Sequence, residues 1–308
     1  MNSPLRIATR KSQLALWQAA HVATLLRQAH SGLEVELVPI VTQGDRIQDR
    51  SLAAIGGKGL FIKELEVALE EQRADIAVHS MKDLPGDLPE GLVIAAVLER
   101  ADPLDALVAA KAKRLDDLQH GARVGTSSLR RQAQLLAARP DLRIEPLRGN
   151  VDSRLRRFDA GESDALVLAC AGLIRLGLES RITARLDAGI CLPAVAQGVI
   201  GIECRSSDQR ALQLLSALEH AATRIVMDAE RAFAHRLGGS CQSPIAAHAR
   251  LEGDTLILDG LVAEPDGSRL LRDGQSGRAS HPAALGALLA ERMLAAGAGP
   301  LLERLRSG

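Results

Sequence analysis

Aromatic side chains are almost absent from this sequence. Its 308 residues include three phenylalanines, one tryptophan and no tyrosine. Proteins that bind single-stranded nucleic acid stack the bases on aromatic rings, so this scarcity argues against that class of protein. Net charge argues the same way, because 38 basic residues are balanced by 38 acidic ones, whereas nucleic-acid-binding domains are strongly basic. We therefore expect no nucleic-acid partner.

Cysteine pairs, metal-ligand clusters and membrane-length apolar runs are missing as well. The four cysteines, at positions 170, 191, 204 and 241, form no Cys-x-x-Cys pair, and no histidine is placed to complete a metal site. The first residues lack the apolar stretch of a secretion signal. These absences predict reduced thiols, a cytoplasmic protein, no bound metal and no membrane partner.

The sequence does contain a regular alternation of strand and helix patterns. We predict strands at Leu5–Thr9, Glu34–Val41, Asp75–His79 and Leu92–Leu98, with helices at Gln13–Gln28 and Leu60–Glu71. The pattern restarts near Asp105, with strands at Ala106–Ala109, Val124–Gly125, Leu142–Leu147 and Asp164–Ala169. Such alternation is typical of α/β folds with a mainly parallel, doubly wound sheet, in which ligands bind at the carboxyl ends of the strands.

The two α/β units and a tail are separated by changes in composition. The polar passage Glu99–Pro103 is the predicted linker between the two units. From about Ala221 the pattern changes, because a helix over Thr223–Arg236 is followed by strands with turn signals between them and by a helix from about Pro282. We predict a smaller α+β domain for this last part of the chain.

Nine arginines but only three acidic residues lie between positions 123 and 157. Thr126, Ser127 and Ser128 are predicted to supply N-cap hydroxyls to a helix. Arg130 and Arg131 would then lie in its first turn, where they oppose the helix dipole. Two interpretations are open: the arginines form a solvated basic face, or they and the helix N-terminus bind an anion.

Two further arginines favour the anion site. Arg148 and Arg154 recur after the next apolar run, so several guanidinium groups can converge. All the clustered cations are arginine, whose planar fork matches carboxylate or phosphate. A small polyanionic ligand is therefore expected.

Two other motifs leave alternatives open. Gly56–Gly59 lacks the spacing of a nucleotide-binding loop, so it is interpreted as a glycine-rich loop that holds one cation, Lys58. The segment His79–Asp83 follows a predicted strand, where ligands bind. Its Lys82 and Asp83 form either a surface ion pair or a functional carboxylate beside a cation.

Cys241 lies in a different setting from Cys170 and Cys204. Those two are embedded in apolar strand-like runs and fit small buried side chains. Cys241 lies on a glycine-flanked loop, Leu237–Ile245, that follows a predicted helix. It is either a further buried thiol or an accessible one to which a group is covalently attached.

These motifs, in this order, resemble the porphobilinogen deaminase family, also called hydroxymethylbilane synthases. The resemblance covers nearly the whole chain. It is carried by Gly57–Phe61, Val78–Asp83, Val124–Arg131, Leu147–Asn150, Ala171–Arg175, Gln197–Gly198 and the Cys241 loop.

The resemblance implies three domains. The first two, 1–98 with 199–216 and then 104–192, would be doubly wound α/β domains like those of type II periplasmic binding proteins. Residues 221–308 would form the α+β domain, which carries a dipyrromethane cofactor as a thioether on Cys241. Members of the family join four porphobilinogen molecules head to tail on this primer, release ammonia at each step and produce linear hydroxymethylbilane. The enzyme is expected to be a monomer.

The resemblance also implies roles for particular residues. Asp83 matches the catalytic carboxylate, which stabilises positive charge on the substrate after ammonia leaves. Residues that match the family's cofactor-binding and substrate-binding positions are Arg10, Ser12, Lys58, Phe61, Ser80, Lys82, Thr126, Ser127, Ser128, Arg130, Arg131, Arg148, Arg154, Arg175 and Gln197. The alternative is a non-enzymatic anion-binding protein of the same architecture. It would explain the arginines, but it would leave Asp83 and Cys241 without a role.

Overall fold

The computed structural model describes residues 3–46, 62–239 and 243–307. Its residues group into two compact units. The first unit comprises Met1–Arg100 and Val199–Arg224, and the second comprises Ala101–Gly198 and Ile225–Gly308. Lys58, Phe61 and Cys241, three of the predicted site residues, lie outside the described residues.

Thirteen strands are described, and they form three sheets. They are β1 (Leu5–Arg10), β2 (Val35–Ile40), β3 (Ile76–Ser80), β4 (Leu92–Val97), β5 (Asp105–Ala109), β6 (Arg123–Gly125), β7 (Arg143–Glu145), β8 (Ala165–Ala169), β9 (Ala184–Leu186), β10 (Ile200–Arg205), β11 (Ile245–Glu252), β12 (Thr255–Ala263) and β13 (Leu270–Arg278).

The described helices surround these sheets. They are α1 (Gln13–Ala29), α2 (Gln43–Arg46), α3 (Lys63–Glu70), α4 (Leu129–Ala138), α5 (Val151–Asp159), α6 (Cys170–Arg175), α7 (Gln209–Ser216), α8 (Ala221–Arg236), α9 (Pro282–Met293) and α10 (Gly299–Ser307). Short 3-10 turns lie at Met81–Asp83, Leu115–Asp117 and Glu179–Arg181, and a π-helical segment lies at Leu294–Ala298.

The sheet of the first unit has the strand order β2-β1-β3-β10-β4. Strands β1, β2 and β3 are parallel, whereas β10 runs antiparallel to both of its neighbours. One face of the sheet packs on α1 and α7 through residues such as Ile7, Leu26 and Leu215. The other face packs on α3 through Leu65 and Leu69.

The first sheet of the second unit repeats this arrangement with the order β7-β6-β8-β5-β9. Its strands β6, β7 and β8 are parallel, and β5 is antiparallel to β8 and β9. The two α/β folds and their mainly parallel sheets are therefore confirmed, because four of the five strands in each sheet run in the same direction. One antiparallel strand, β10 or β5, makes each sheet mixed, and the sequence did not predict its direction. Hydrophobic patterns mark where strands lie and do not encode their direction.

A three-stranded antiparallel sheet, β11-β12-β13, forms the C-terminal α+β domain. Its core contains Phe233 from α8 and Leu289 from α9. Within the second unit this domain packs on the α/β part, since Ala133 of α4 lies in one cluster with Leu261 of β12. The smaller α+β domain predicted from the sequence is confirmed.

One helical stretch of the described chain, Pro282–Arg304, is long and apolar enough to cross a membrane. This differs from the expectation that no run approaches a membrane span. The apolar side chains of this stretch, such as Leu285, Met293 and Leu301, are buried in the core of the C-terminal domain. A core helix meets the same length and composition criteria, so the burial accounts for its composition.

Candidate functional site

The arginine-rich segment of the second unit begins where β6 ends. Ser128 is the N-cap of α4, and its hydroxyl accepts a hydrogen bond from the backbone N–H of Arg131 at 3.4 Å. The Thr126 hydroxyl accepts one from the Ser128 N–H at 3.3 Å. The predicted N-cap is confirmed at Ser128, and it fixes the direction in which the first helical turn presents its side chains.

Arg130 and Arg131 are buried, with 4% and 6% of their surface exposed. Both are paired with one carboxylate, that of Asp105 at the start of β5. Arg130 Nη1 lies 2.7 Å from Asp105 Oδ2, and Arg131 Nη2 lies 2.7 Å from Asp105 Oδ1. A solvated basic face is therefore the wrong interpretation for these two arginines.

Asp105 is the residue of this cluster that sequence reasoning missed. It was noted there only as the start of the second α/β unit. Burial alone would raise its pKa, but the guanidinium groups of Arg130 and Arg131 outweigh burial and hold the pKa well below its usual range. The signal available in the sequence was an acidic residue at the head of an apolar strand, where an unpaired charge would be costly.

Two further groups complete the surroundings of Asp105. Gln197 is buried, and its Nε2 donates to Asp105 Oδ1 at 3.0 Å and to the Pro103 carbonyl at 2.7 Å. The Cys191 thiol lies 3.3 Å from Asp105 Oδ2. Burial raises the pKa of Cys191 to about 12, so this thiol stays protonated and donates to the carboxylate.

The other predicted arginines of this unit lie nearer to solvent. Arg154 on α5 donates from Nε to the Gly149 carbonyl at 2.7 Å. Arg175 on α6 donates to the Gly198 carbonyl at 2.6 Å. Burial lowers the pKa of Arg175 to about 10, which leaves it charged at neutral pH. Within the described part of the chain, the half-buried Arg148 has no hydrogen bond or ion pair with protein.

The first unit carries its predicted site residues at the ends of β1 and β3. Arg10 ends β1, and Ser12 is the N-cap of α1, where its hydroxyl accepts from the Ala15 N–H at 3.3 Å. Ser80 ends β3 and accepts a hydrogen bond from Gln18 Nε2 at 2.8 Å.

Lys82 and the exposed Asp83 follow on the 3-10 turn Met81–Asp83. The side chain of Met81 is buried and lies over Gly201 of β10, so closely that a Cβ on Gly201 would overlap the Met81 sulfur. This close packing positions the turn that presents Asp83 to solvent.

The described flanks of Cys241 form a sharp helix end. Helix α8 ends at Arg236, and Gly238 adopts a left-handed conformation with φ of +64°. A Cβ on Gly239 would lie 2.6 Å from Ile245 Cδ1, so any larger residue there would displace the Ile245 side chain. The other three cysteines are buried, as predicted for Cys170 and Cys204, and burial raises the pKa of Cys170 to about 12 and that of Cys204 to about 11.

These positions define a class of protein. Each α/β unit places cations and hydroxyls at the carboxyl ends of parallel strands, where α/β proteins bind ligands, and one of the helix N-termini there is flanked by paired arginines. The chain is therefore an α/β protein with two sheet units, each of which carries candidate anion-binding residues, and an added α+β domain.

Comparison with known proteins gives the family. Residues 5–213 match the family profile described as porphobilinogen deaminase, dipyromethane cofactor binding domain. Residues 225–295 match the profile of the porphobilinogen deaminase C-terminal domain. The porphobilinogen deaminase of Xanthomonas axonopodis pv. citri is 57% identical over 301 residues, which cover 98% of this chain and 99% of that protein.

The relative from Xanthomonas campestris pv. campestris is also 57% identical with the same coverage. Among solved structures, the methionine-binding protein MetQ aligns with 70% of this chain and 89% of its own, at 16% identity and a TM-score of 0.46. The chain belongs to the porphobilinogen deaminase family.

Membership of this family establishes the activity predicted from the sequence. The chain is an enzyme of tetrapyrrole biosynthesis that joins four porphobilinogen molecules head to tail, with release of ammonia, into linear hydroxymethylbilane. It uses a dipyrromethane cofactor. The alternative of a non-enzymatic anion-binding protein is therefore excluded.

Proposed function

We propose that the residues identified by resemblance carry this activity. In this proposal Asp83 is the catalytic carboxylate and Cys241 is the attachment point of the cofactor. The arginines and hydroxyl groups of both units bind the carboxylates of the pyrrole chain. The proposal includes the three domains with the boundaries given above, and a monomeric enzyme that acts in the cytoplasm.

The observation that carries the proposal is the charge of the buried cluster. Two arginines and one aspartate leave one positive charge unanswered at the N-terminus of α4. Arg148 adds a second cation, which has no protein partner among the described residues. A site with surplus positive charge and oriented guanidinium groups suits a carboxylate ligand.

The donor set also fits the dipyrromethane group. Each of its rings carries an acetate and a propionate, so it is a polycarboxylate, and the described residues offer guanidinium, hydroxyl and amide donors. When bound, the group would supply the pyrrole carbon to which the first substrate is joined, and each later substrate would join the ring added before it. The chain's own residues hold carboxylates in place, and holding the reacting partners in this way reduces the entropic barrier to each addition.

Asp83 fits its role because it is the exposed carboxylate of the turn after β3, beside Lys82. Positive charge develops on the substrate as ammonia leaves. A carboxylate fixed near the pyrrole N–H stabilises that charge and can accept the proton. Because the turn is fixed by the packing of Met81, little reorganisation is needed during the reaction.

Cys241 fits the attachment role because the other thiols are unsuited to it. Cys170, Cys191 and Cys204 are buried, and burial raises the pKa of each thiol. Attachment requires an accessible sulfur. The glycine-rich flanks at Gly238 and Gly239 allow the backbone of the loop to approach a ligand closely.

Intact-mass measurement and peptide mapping test the proposal. The purified protein should carry a mass excess of two linked pyrrole units on the peptide that contains Cys241, and Cys241→Ala should lack it. Cys204→Ala, a change of a buried thiol on β10, is the control and should keep the adduct. An adduct on Cys170, Cys191 or Cys204 would rule out the assignment. Light scattering of the same sample tests whether the protein is a monomer.

A further inference from the structure

The buried Asp105 carboxylate holds both arginines of α4 in one arrangement. Its Oδ1 accepts from Arg131 Nε at 3.0 Å and from Arg131 Nη2 at 2.7 Å, and its Oδ2 accepts from Arg130 Nη1 at 2.7 Å. None of the Asp105 side chain is exposed. Gln197 and Cys191 donate to the same two oxygens, so five donors fix the carboxylate.

The two arginines differ in how many of their nitrogens are already used. Arg131 has acceptors for all three, since its Nη1 donates to the Val167 carbonyl at 2.9 Å. Arg130 uses only Nη1, which also donates to the Leu192 carbonyl at 2.7 Å. Among the described residues, all hydrogen bonds of the Arg130 guanidinium group are made by Nη1, and Nε and Nη2 meet no acceptor. The cluster therefore presents one guanidinium edge and a net charge of plus one.

We propose that Asp105 is a positioning residue that orients Arg130 toward a ligand carboxylate and limits the arginine pair to a single surplus positive charge. The inference rests on the proposed role of Arg130 in carboxylate binding. Asp105 itself does not touch the ligand. It acts by fixing Arg131 as a support and Arg130 as the donor.

The net charge makes the site specific for a singly charged group. One carboxylate on the ligand neutralises a cluster of charge plus one, whereas a doubly charged anion such as sulfate would leave one negative charge in excess. Burial strengthens this discrimination, since electrostatic interactions are larger where water is excluded. Removal of the Asp105 charge should therefore shift the preference toward sulfate.

Asp105→Asn tests this in the cofactor-loaded enzyme, with Asp141→Asn as a matched control. Asp141 forms an equivalent two-point pair with Arg139 at the other end of α4, with both distances at 2.7 Å. Steady-state KM and the inhibition constant of sulfate are measured at constant ionic strength, below the melting temperature of every variant.

Asp105→Asn should raise KM for porphobilinogen about tenfold, because the guanidinium groups lose their fixed orientation. It should lower the sulfate inhibition constant about tenfold, because the cluster gains a unit of positive charge. Asp141→Asn should lower the melting temperature and leave both constants within about twofold of the parent values. If Asp105→Asn lowers only the melting temperature, its role is structural and the inference is wrong.

Asp105→Glu decides the question if Asp105→Asn does not fold. It keeps the charge but moves the carboxylate by one methylene, so KM should rise while sulfate inhibition stays at the parent value. Parent values for both constants would overturn the inference. Arg130→Gln separates this result from the proposed function. If it leaves KM unchanged, Arg130 does not bind the ligand. If it raises KM while Asp105→Asn does not, only the role of Asp105 is wrong.

Discussion

The two α/β sheets share one strand arrangement but bury different charges. In each of these two sheets, three parallel strands are followed by an antiparallel strand that carries a buried carboxylate. In the second unit this is Asp105 on β5, paired with two arginines. In the first unit it is Glu203 on β10, whose Oε2 lies 2.8 Å from His79 Nε2.

The partner of the buried carboxylate decides whether its surroundings carry a permanent charge. Guanidinium groups are permanently charged, so the buried cluster of the second unit keeps a fixed surplus of positive charge. An imidazole is charged only when protonated, so the first unit has no such permanent surplus at its buried carboxylate. The first unit instead presents an exposed carboxylate, Asp83, one turn beyond its buried pair. In the proposed function, the catalytic carboxylate therefore belongs to the first unit and the buried, permanently charged arginine cluster to the second.

The largest effect is expected from Asp83→Asn. This change keeps the size of the side chain but removes the charge that stabilises the reacting substrate. Turnover should fall at least about a hundredfold, and KM should change little. Steady-state kinetics check this, with the exposed Asp87→Asn on the same loop as the control. A loss that fell on KM instead would erase the division of roles between the units.

The next largest effect is expected on stability. Arg131→Met leaves Asp105 with one arginine instead of two and should lower the free energy of unfolding by about 3 kcal/mol, the scale for breaking a buried ion pair. His79→Gln keeps a hydrogen-bond donor near Glu203 and should cost only about 1 kcal/mol. Urea unfolding of both variants measures the difference. An equal loss of unfolding free energy in the two variants would show that Asp105 and Glu203 depend equally on their partners.

The smallest effect concerns pH. Burial raises the pKa of Glu66 on α3, and the nearby Glu203 raises it further. A raised carboxyl pKa contributes stability that is full below the unfolded pKa and is lost as pH rises through the folded pKa. Glu66→Gln should therefore raise the melting temperature by about 2 °C at pH 7 and leave it unchanged near pH 4.

Asp105, the buried carboxylate of the second unit, should change stability with pH in the opposite direction to Glu66. Since the pKa of Asp105 is lowered, its contribution to stability is present above the unfolded pKa and is lost as pH falls.

The control for Glu66→Gln is Glu90→Gln, which changes an exposed carboxyl group of the first unit. A gain in melting temperature for Glu66→Gln that grew as the pH fell would contradict the raised pKa of Glu66.

Local features of the fold could be predicted from the sequence. The N-cap at Ser128 and helix α4 depend on neighbouring residues, and periodicity located most strands to within two residues. Strand β10 was not among the strands predicted from periodicity, and its direction between β3 and β4 is set by contacts more than a hundred residues away.

The contact of Asp105 with the two arginines could not be predicted from the sequence, because it also joins residues that are distant along the chain. Asp105 is 25 and 26 residues from its two arginines and 92 residues from Gln197. The excess of arginine was visible in the sequence, but the sequence did not show which of several nearby acidic residues forms the ion pairs with Arg130 and Arg131. The predicted surplus of positive charge was therefore larger than the one in the folded cluster.

The central claim, that the arginine-rich segment binds the carboxylates of the substrate, is tested most directly at Arg148. Arg148→Met removes a cation that has no protein partner in the described chain, so stability should not change. Arg143→Met removes an exposed arginine from β7 and is the matched control. We predict that KM for porphobilinogen rises about tenfold for Arg148→Met, the scale of one charge-assisted contact, and stays at the parent value for Arg143→Met. Equal KM values for both variants and the parent enzyme would contradict the account.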